Sequence, residues 1–211
     1  MHAGTLSQSA QTALAILGNS EILKDAYLAG GSALALHLGH RKSYDFDFYT
    51  RNDLPAADVA SQLAKIGNFQ TTLLEPPHTV LGLFNDVKFS LFRYDYPLLN
   101  ELQQFKGVGL ASIPDIAAMK LSAICGRATK RDYIDLFFIS KQYSFEQLIE
   151  FFKQKFGKLG NNLYFILKSL SYFEDAEADE LPQMLAPISW DEVKKFFVSE
   201  SMRLARKYLE E

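Results

Sequence analysis

Apolar and polar residues repeat with two different periods along the chain, and the change falls near residue 106. Before that point, short runs with a period of two alternate with segments in which apolar residues recur every three or four positions. This pattern predicts a mixed sheet with helices. The predicted helices are 7–17, 32–38 and 55–66, and the predicted strands are 26–29, 44–49, 69–74, 79–84 and 87–94, with a hairpin turn at 85–86.

The helical period dominates the second part of the chain, residues 107–211. Ser144 with Gln147, and Ser189 with Glu192, match the capping-box pattern that opens a helix. The acidic stretch 174–180 predicts a loop. We therefore expect an α+β fold, with an α/β core at 1–106 and a helical region at 107–211 that completes a cleft. The helices predicted in this region are 114–127, 129–140, 145–156, 162–171 and 190–208.

Composition indicates a globular protein without a strong electrostatic field. The 211 residues are 48% hydrophobic and 22% charged, which suffices for a sizeable core. A net charge of −3 excludes a global attraction to nucleic acid, so any polyanion site must be local. The single cysteine, Cys125, excludes an internal disulfide, and no apolar stretch approaches the roughly 18 residues of a membrane span. We expect a cytoplasmic protein with no membrane partner.

Candidate chemistry appears first on the strand that contains Asp45, Phe46 and Asp47. Because side chains alternate along a strand, the two acids share one face and the phenylalanine lies on the other. Two carboxylates this close resist ionising together unless a cation lies between them, and Mg²⁺ with its oxygen ligands is the usual solution. Upstream, the turn Gly30-Gly31-Ser32 precedes a helix whose first N–H groups can hold phosphate oxygens.

A second group of charged residues lies on the predicted helices of the second part. Lys120 and Arg127 are seven residues apart and fall on one helix face, from which two cations can contact a triphosphate. The next helix adds two cations and two acids at its start. Either acid can orient an acceptor hydroxyl or hold the neighbouring cations by ion pairs. These residues are Lys130, Arg131, Asp132 and Asp135.

Both groups, in this order, resemble a known family. Gly31-Ser32 followed by Asp45-Phe46-Asp47-Phe48 resembles the signature of the polymerase-β-like nucleotidyltransferase fold. Residues 117–124, Arg127 and residues 130–136 resemble the second block of the AbiEii/AbiGii toxin family of nucleotidyltransferases. The resemblance implies transfer of a nucleoside monophosphate from a nucleoside triphosphate to an acceptor hydroxyl, with Mg²⁺ as cofactor.

The family also implies a setting and a set of functional residues. The setting is a toxin–antitoxin or phage-defence system, with an antitoxin as a possible protein partner and with RNA such as tRNA, or a protein, as the acceptor. The implied metal ligands are Asp45 and Asp47. The implied catalytic residues are Asp45, Asp47, Lys120, Asp132 and Asp135, and the implied nucleotide-binding residues are Gly30, Gly31, Ser32, Arg127, Lys130 and Arg131.

One strand departs from the family pattern. Many enzymes of this fold carry a third carboxylate on a later strand, where this chain has Ser90. Asp86 and Asp95 flank that strand and are possible substitutes. Two carboxylates can bind one metal with the help of substrate phosphates, whereas a two-metal mechanism would lack a ligand. The alternative function is therefore a non-catalytic nucleotide-binding or protein-interaction module that retains the fold.

An RNA acceptor would have to bind through a confined basic strip, because the chain as a whole is acidic. The available cations near the two motifs are Arg41, Lys42, Lys130 and Arg131. Such a strip predicts weak binding, with a shallow salt dependence whose log–log slope is roughly −2 to −4.

Overall fold

The computed structural model describes residues 1–126, 128–157 and 163–209. The chain forms two compact units, Met1–Ser112 and Ile113–Glu211. The sequence pattern predicts a boundary at 106, whereas the first unit includes one more short strand beyond that point. Within the described ranges, no helix combines the length and the apolarity that a membrane span requires.

The first unit is built on a mixed sheet of seven strands. The strands are β1 Ala26–Leu28, β2 Asp45–Thr50, β3 Phe69–Glu75, β4 Thr79–Phe84, β5 Val87–Arg93, β6 Gln103–Phe105 and β7 Val108–Leu110. Their order across the sheet is β3-β4-β5-β2-β1-β7-β6. Strand β2 is parallel to β5 and antiparallel to β1, which in turn is parallel to β7. This mixed sheet confirms the predicted α+β class.

Alternation along β2 sets the two faces of the sheet. Phe46 and Phe48 are fully buried, and Phe48 packs against Phe89 of β5 with ring centroids 5.5 Å apart. The intervening residues of β2 are only partly buried. Three helices belong to this unit: α1 Gln8–Gly18, α2 Gly30–Leu38 and α3 Ala56–Ile66. Helix α2 lies against β2, and α3 lies against β3 and β4.

Two hairpins show where local chemistry could and could not be read from the sequence. Asn85 and Asp86 both have positive φ, 47° and 64°, as the two-residue turn predicted between β4 and β5 requires. The β6–β7 hairpin was not predicted, because strands of three residues are too short to show alternation. Its turn contains Gly107 at φ 80°, where an added Cβ would lie 2.6 Å from the carbonyl oxygen of Gly18.

The second unit is helical, as predicted. Capping boxes at Thr129 and Ser144 open its second and third helices. A buried ion pair between Lys155 and Asp115, 2.8 Å apart, lies in its interior. The predicted loop at 174–180 is wrong in part, because α8 forms there and buries Ala176. The helices are α4 Ile113–Gly126, α5 Lys130–Ile139, α6 Phe145–Phe156, α7 Leu163–Leu170, α8 Glu174–Glu177 and α9 Trp190–Leu209.

Candidate active site

Asp45 and Asp47 lie on the same face of β2, and each is partly buried. This is the arrangement that the alternation of the strand predicts. In the register of the parallel pair β2–β5, Asp45 is opposite Lys88 and Asp47 is opposite Ser90. The position expected for a third carboxylate therefore lies directly beside the acid pair, and the residue there is a serine that is 6% exposed.

The glycine turn touches the acid pair directly. Gly30 begins α2 with a φ of 62°, a backbone conformation that favours glycine. A Cβ at this position would lie 2.9 Å from Asp47 Oδ2. The backbone N–H of Ala29 donates to the carbonyl of Asp47 at 3.0 Å. The start of α2 and the carboxylate of Asp47 therefore lie close together, at a spacing that leaves little room for a side chain at position 30.

Ser32 lies in the first turn of α2 but its hydroxyl points into the protein. The residue is 1% exposed, and its hydroxyl donates to the carbonyl of Asp45 while its Oγ lies 2.9 Å from Ser43 Oγ. The hydroxyl therefore fixes the segment that leads into β2. The N-cap residue of α2, Ala29, makes no side-chain capping bond. Its first backbone N–H groups, rather than the Ser32 hydroxyl, are the donors suited to a phosphate.

Arg41, which the sequence predicts to lie in an RNA-binding strip, lies next to the glycine turn. The side chain is 3% exposed and donates to the carbonyl of Lys42 at 2.9 Å. A Cβ on Gly31 would lie 2.5 Å from Arg41 Nη2. The guanidinium is thus packed against the glycine turn. Arg41 lies eleven positions from Gly30 in sequence, and no local pattern reveals that contact.

In the second unit, Lys120, Asp132 and Asp135 form one ion-pair cluster. Lys120 Nζ lies 2.8 Å from Asp132 Oδ1 and 2.8 Å from Asp135 Oδ2. The side chains are 11%, 12% and 0% exposed, respectively. Asp132 also closes the capping box of α5, since its Oδ2 accepts from the N–H and the hydroxyl of Thr129. The sequence left two roles open for these acids, the orientation of an acceptor hydroxyl and the binding of a neighbouring cation. In the structure both acids form ion pairs with Lys120.

The remaining predicted cations differ in their surroundings. Lys130 is buried, and its ammonium donates to the carbonyls of Glu177 and Asp179, at 3.3 Å and 2.5 Å. Arg131 is exposed. Arg127, predicted to bind nucleotide, lies outside the described residues. The ammonium of Lys130 thus forms hydrogen bonds within the second unit.

Burial shifts the pKa of two other titratable side chains, Cys125 and His37. Burial raises the pKa of the Cys125 thiol to about 11, so that the thiol is protonated at neutral pH. Burial also lowers the pKa of His37, whose Nε2 lies 2.8 Å from the carbonyl of Ala111. Among the described side chains, no group of three or more His, Cys, Asp or Glu is arranged to hold a metal ion.

The sequence has a close relative over most of its length. It is 37% identical over 195 residues to the uncharacterized protein aq_aa25 of Aquifex aeolicus (strain VF5), and the match covers 90% of each chain.

Two solved structures share the fold at low sequence identity. JHP933 from Helicobacter pylori has a TM-score of 0.55 at 18% identity, with 96% of this chain and 91% of that one covered. MenT4, a nucleotidyltransferase toxin from Mycobacterium tuberculosis H37Rv, has a TM-score of 0.52 at 17% identity, with 99% and 94% covered.

A family profile provides the assignment. Residues 85–209 match the profile described as nucleotidyl transferase AbiEii toxin, type IV toxin–antitoxin system. The matched segment contains Ser90 and the whole Lys120 cluster and makes up more than half of the chain. The protein is therefore a nucleotidyltransferase and belongs to the AbiEii toxin family.

Proposed function

We propose that the protein transfers a nucleoside monophosphate from a nucleoside triphosphate to an acceptor hydroxyl, with Mg²⁺ as cofactor, and acts as the toxin of a toxin–antitoxin pair. The observation that carries this proposal is the contact between Gly30 and Asp47. This contact supports the proposal because the N–H groups of a helix start are suited to phosphate, and the carboxylate beside them is suited to a metal ion. Phosphate and metal must come together in this way for nucleotidyl transfer.

A Mg²⁺ ion fits the acid pair. Asp45 and Asp47 offer hard oxygen ligands on one strand face, and the glycine at position 30 leaves space next to Asp47 Oδ2 that a side chain would fill. Substrate phosphates and water would complete the coordination. When bound, the ion would neutralise charge on the phosphates.

In the proposed reaction, the acceptor oxygen forms a bond to the α-phosphorus while the bond from that phosphorus to the β-phosphate oxygen breaks. Pyrophosphate leaves, and the hydroxyl proton passes to solvent. The backbone N–H groups of Gly31 and Ser32 hold phosphate oxygens at the start of α2. The buried hydroxyl of Ser32 holds the start of β2 and thereby positions Asp45.

We assign Lys120 to the same reaction because the family match includes it and because its ammonium is fixed by two carboxylates. Asp132 and Asp135 are positioning residues in this proposal. Asp135 is fully buried, so it acts through Lys120 and not on the substrate. A lysine fixed in this way can contact a phosphate oxygen without the entropy cost of ordering a free side chain.

The experiment compares the wild-type protein with Asp45→Asn combined with Asp47→Asn. Each of the four nucleoside triphosphates is supplied with Mg²⁺ and total RNA, and pyrophosphate release and label transfer are measured. We expect the double variant to lose activity by more than about 100-fold, because a metal contributes several kcal/mol to such a step. Asp58→Asn on α3 is the matched control, since this acid is exposed and lies outside the acid face.

The same experiment, together with triphosphate binding measured by calorimetry, tests the alternative suggested by Ser90. Triphosphate binding without pyrophosphate release from the wild-type protein would indicate a non-catalytic nucleotide-binding module. Full transfer activity in the double variant would contradict the assignment of the acid pair.

A further inference from the structure

Side chains of β2, β5 and β4 are cross-strand neighbours on the sheet face that carries Asp45 and Asp47. In the register of the sheet, Lys88 of β5 lies between Asp45 of β2 and Leu83 of β4. Neighbouring strands are about 4.8 Å apart, whereas an extended lysine side chain is longer than this separation. The ammonium of Lys88 can therefore reach a ligand that lies above Asp45, and the leucine on its other side offers it no competing charge.

The ammonium of Lys88 is available, unlike those of several other lysines. Lys88 is exposed, and no hydrogen bond or ion pair holds it within the ranges that the structure describes. In contrast, the ammonium group of Lys155 is held by a carboxylate, and that of Lys130 by carbonyls. Because Lys88 lies next to the acid pair but makes no ion pair with it, its ammonium can bind an anionic ligand.

Charge on this face also favours a phosphate ligand. One Mg²⁺ ion would cancel the charges of Asp45 and Asp47, which leaves the charge of a triphosphate to be met by other groups. A third carboxylate beside Asp47 would add negative charge, but Ser90 is neutral. Lys88, two residues earlier on the same strand face, adds a positive charge instead. Charge-assisted hydrogen bonds to phosphate are among the strongest polar contacts a protein makes.

We propose that Lys88 is a phosphate-contacting residue of the nucleotidyl-transfer site, and that its ammonium supplies a further positive charge on the sheet face where Asp45 and Asp47 would hold a metal ion. This inference rests on the proposed function. It extends that function by a residue on β5, the strand on which Ser90 takes the place of the third acid.

The test measures binding of inorganic tripolyphosphate in the presence of Mg²⁺ by calorimetry. This probe reports phosphate contacts without depending on the identity of the base. We expect Lys88→Met to weaken binding about 10-fold, the effect of losing one hydrogen bond from a charged group. Lys88→Arg should restore most of the affinity, because it keeps the charge. Lys65→Met is the matched control, an exposed lysine in the last turn of α3.

The outcomes separate this inference from the proposed function. Lys88→Met with the affinity of the wild-type protein overturns the inference, provided that Asp45→Asn with Asp47→Asn abolishes binding. A wild-type protein that binds neither tripolyphosphate nor any nucleoside triphosphate overturns both. Thermal unfolding of each variant checks that the fold is retained, which we expect because Lys88 is exposed.

Discussion

Gly30 is the residue at which backbone conformation and the candidate metal site depend on each other. Its φ is 62°, and an added Cβ would lie 2.9 Å from Asp47 Oδ2. We expect Gly30→Ala to lower the free energy of unfolding by about 1–3 kcal/mol, the cost of a left-handed conformation for a side chain. It should also weaken Mg²⁺-dependent triphosphate binding, because Asp47 must move. Urea unfolding and calorimetry measure the two effects separately.

Gly4→Ala is the control for this substitution. A Cβ added at Gly4 would have no neighbouring atom within 4 Å, and the φ of Gly4 is not in the left-handed range. It should leave both stability and binding near the wild-type values. A Gly30→Ala protein with unchanged triphosphate affinity would show that the turn and the acid do not act together.

At the scale of elements, Glu146 links α6 to α9. Hydrogen bonds from Arg203 and then Lys207 lower the pKa of Glu146 to about 2, from an ordinary value of 4.5. The folded protein therefore binds fewer protons here than the unfolded chain between these values. The stability due to this link is complete above pH 4.5 and is lost as the pH falls toward 2.

We therefore expect the difference in unfolding free energy between wild type and Glu146→Gln to shrink as the pH is lowered from 5 to 2. Urea unfolding at several pH values measures it. Taking a difference removes the contribution of other carboxylates that titrate in the same range. Glu150→Gln, an exposed acid on the same helix, should show little change. A difference that stays constant with pH would contradict the link.

Elements with a clear period were predictable from the sequence, and contacts between distant segments were not. The alternation of Asp45, Phe46 and Asp47 sufficed to predict the two faces of β2, because strand geometry admits one solution. The burial of Lys130 could not be predicted, since its carbonyl partners lie 47 and 49 residues further along. The Ser32 hydroxyl turned inward for the same reason, through a bond to Ser43 eleven residues away.

At the scale of the whole molecule, the net charge of −3 and the placement of the basic residues limit any interaction with RNA. Of the four cations that the sequence places near the motifs, Arg41 and Lys130 are buried. Lys42 is partly buried, and Arg131 is exposed. At most about two phosphates can therefore be contacted by this set, which lowers the expected salt dependence relative to the estimate from sequence.

We expect binding of a single-stranded RNA to fall with salt along a log–log slope of about −1.4, which is roughly 0.7 for each of two phosphate contacts. Arg131→Ala should reduce the slope by about 0.7, while Lys65→Ala, on an exposed turn of α3, should leave it unchanged. Fluorescence anisotropy measured at salt concentrations from about 50 to 200 mM gives the slope. A slope near −3 would show that other cations contact the RNA. RNA binding that does not change with salt concentration, together with the transfer of label from a radioactive triphosphate to protein in a cell extract, would exclude RNA as the acceptor. The proposed nucleotidyl transfer would then have a protein target.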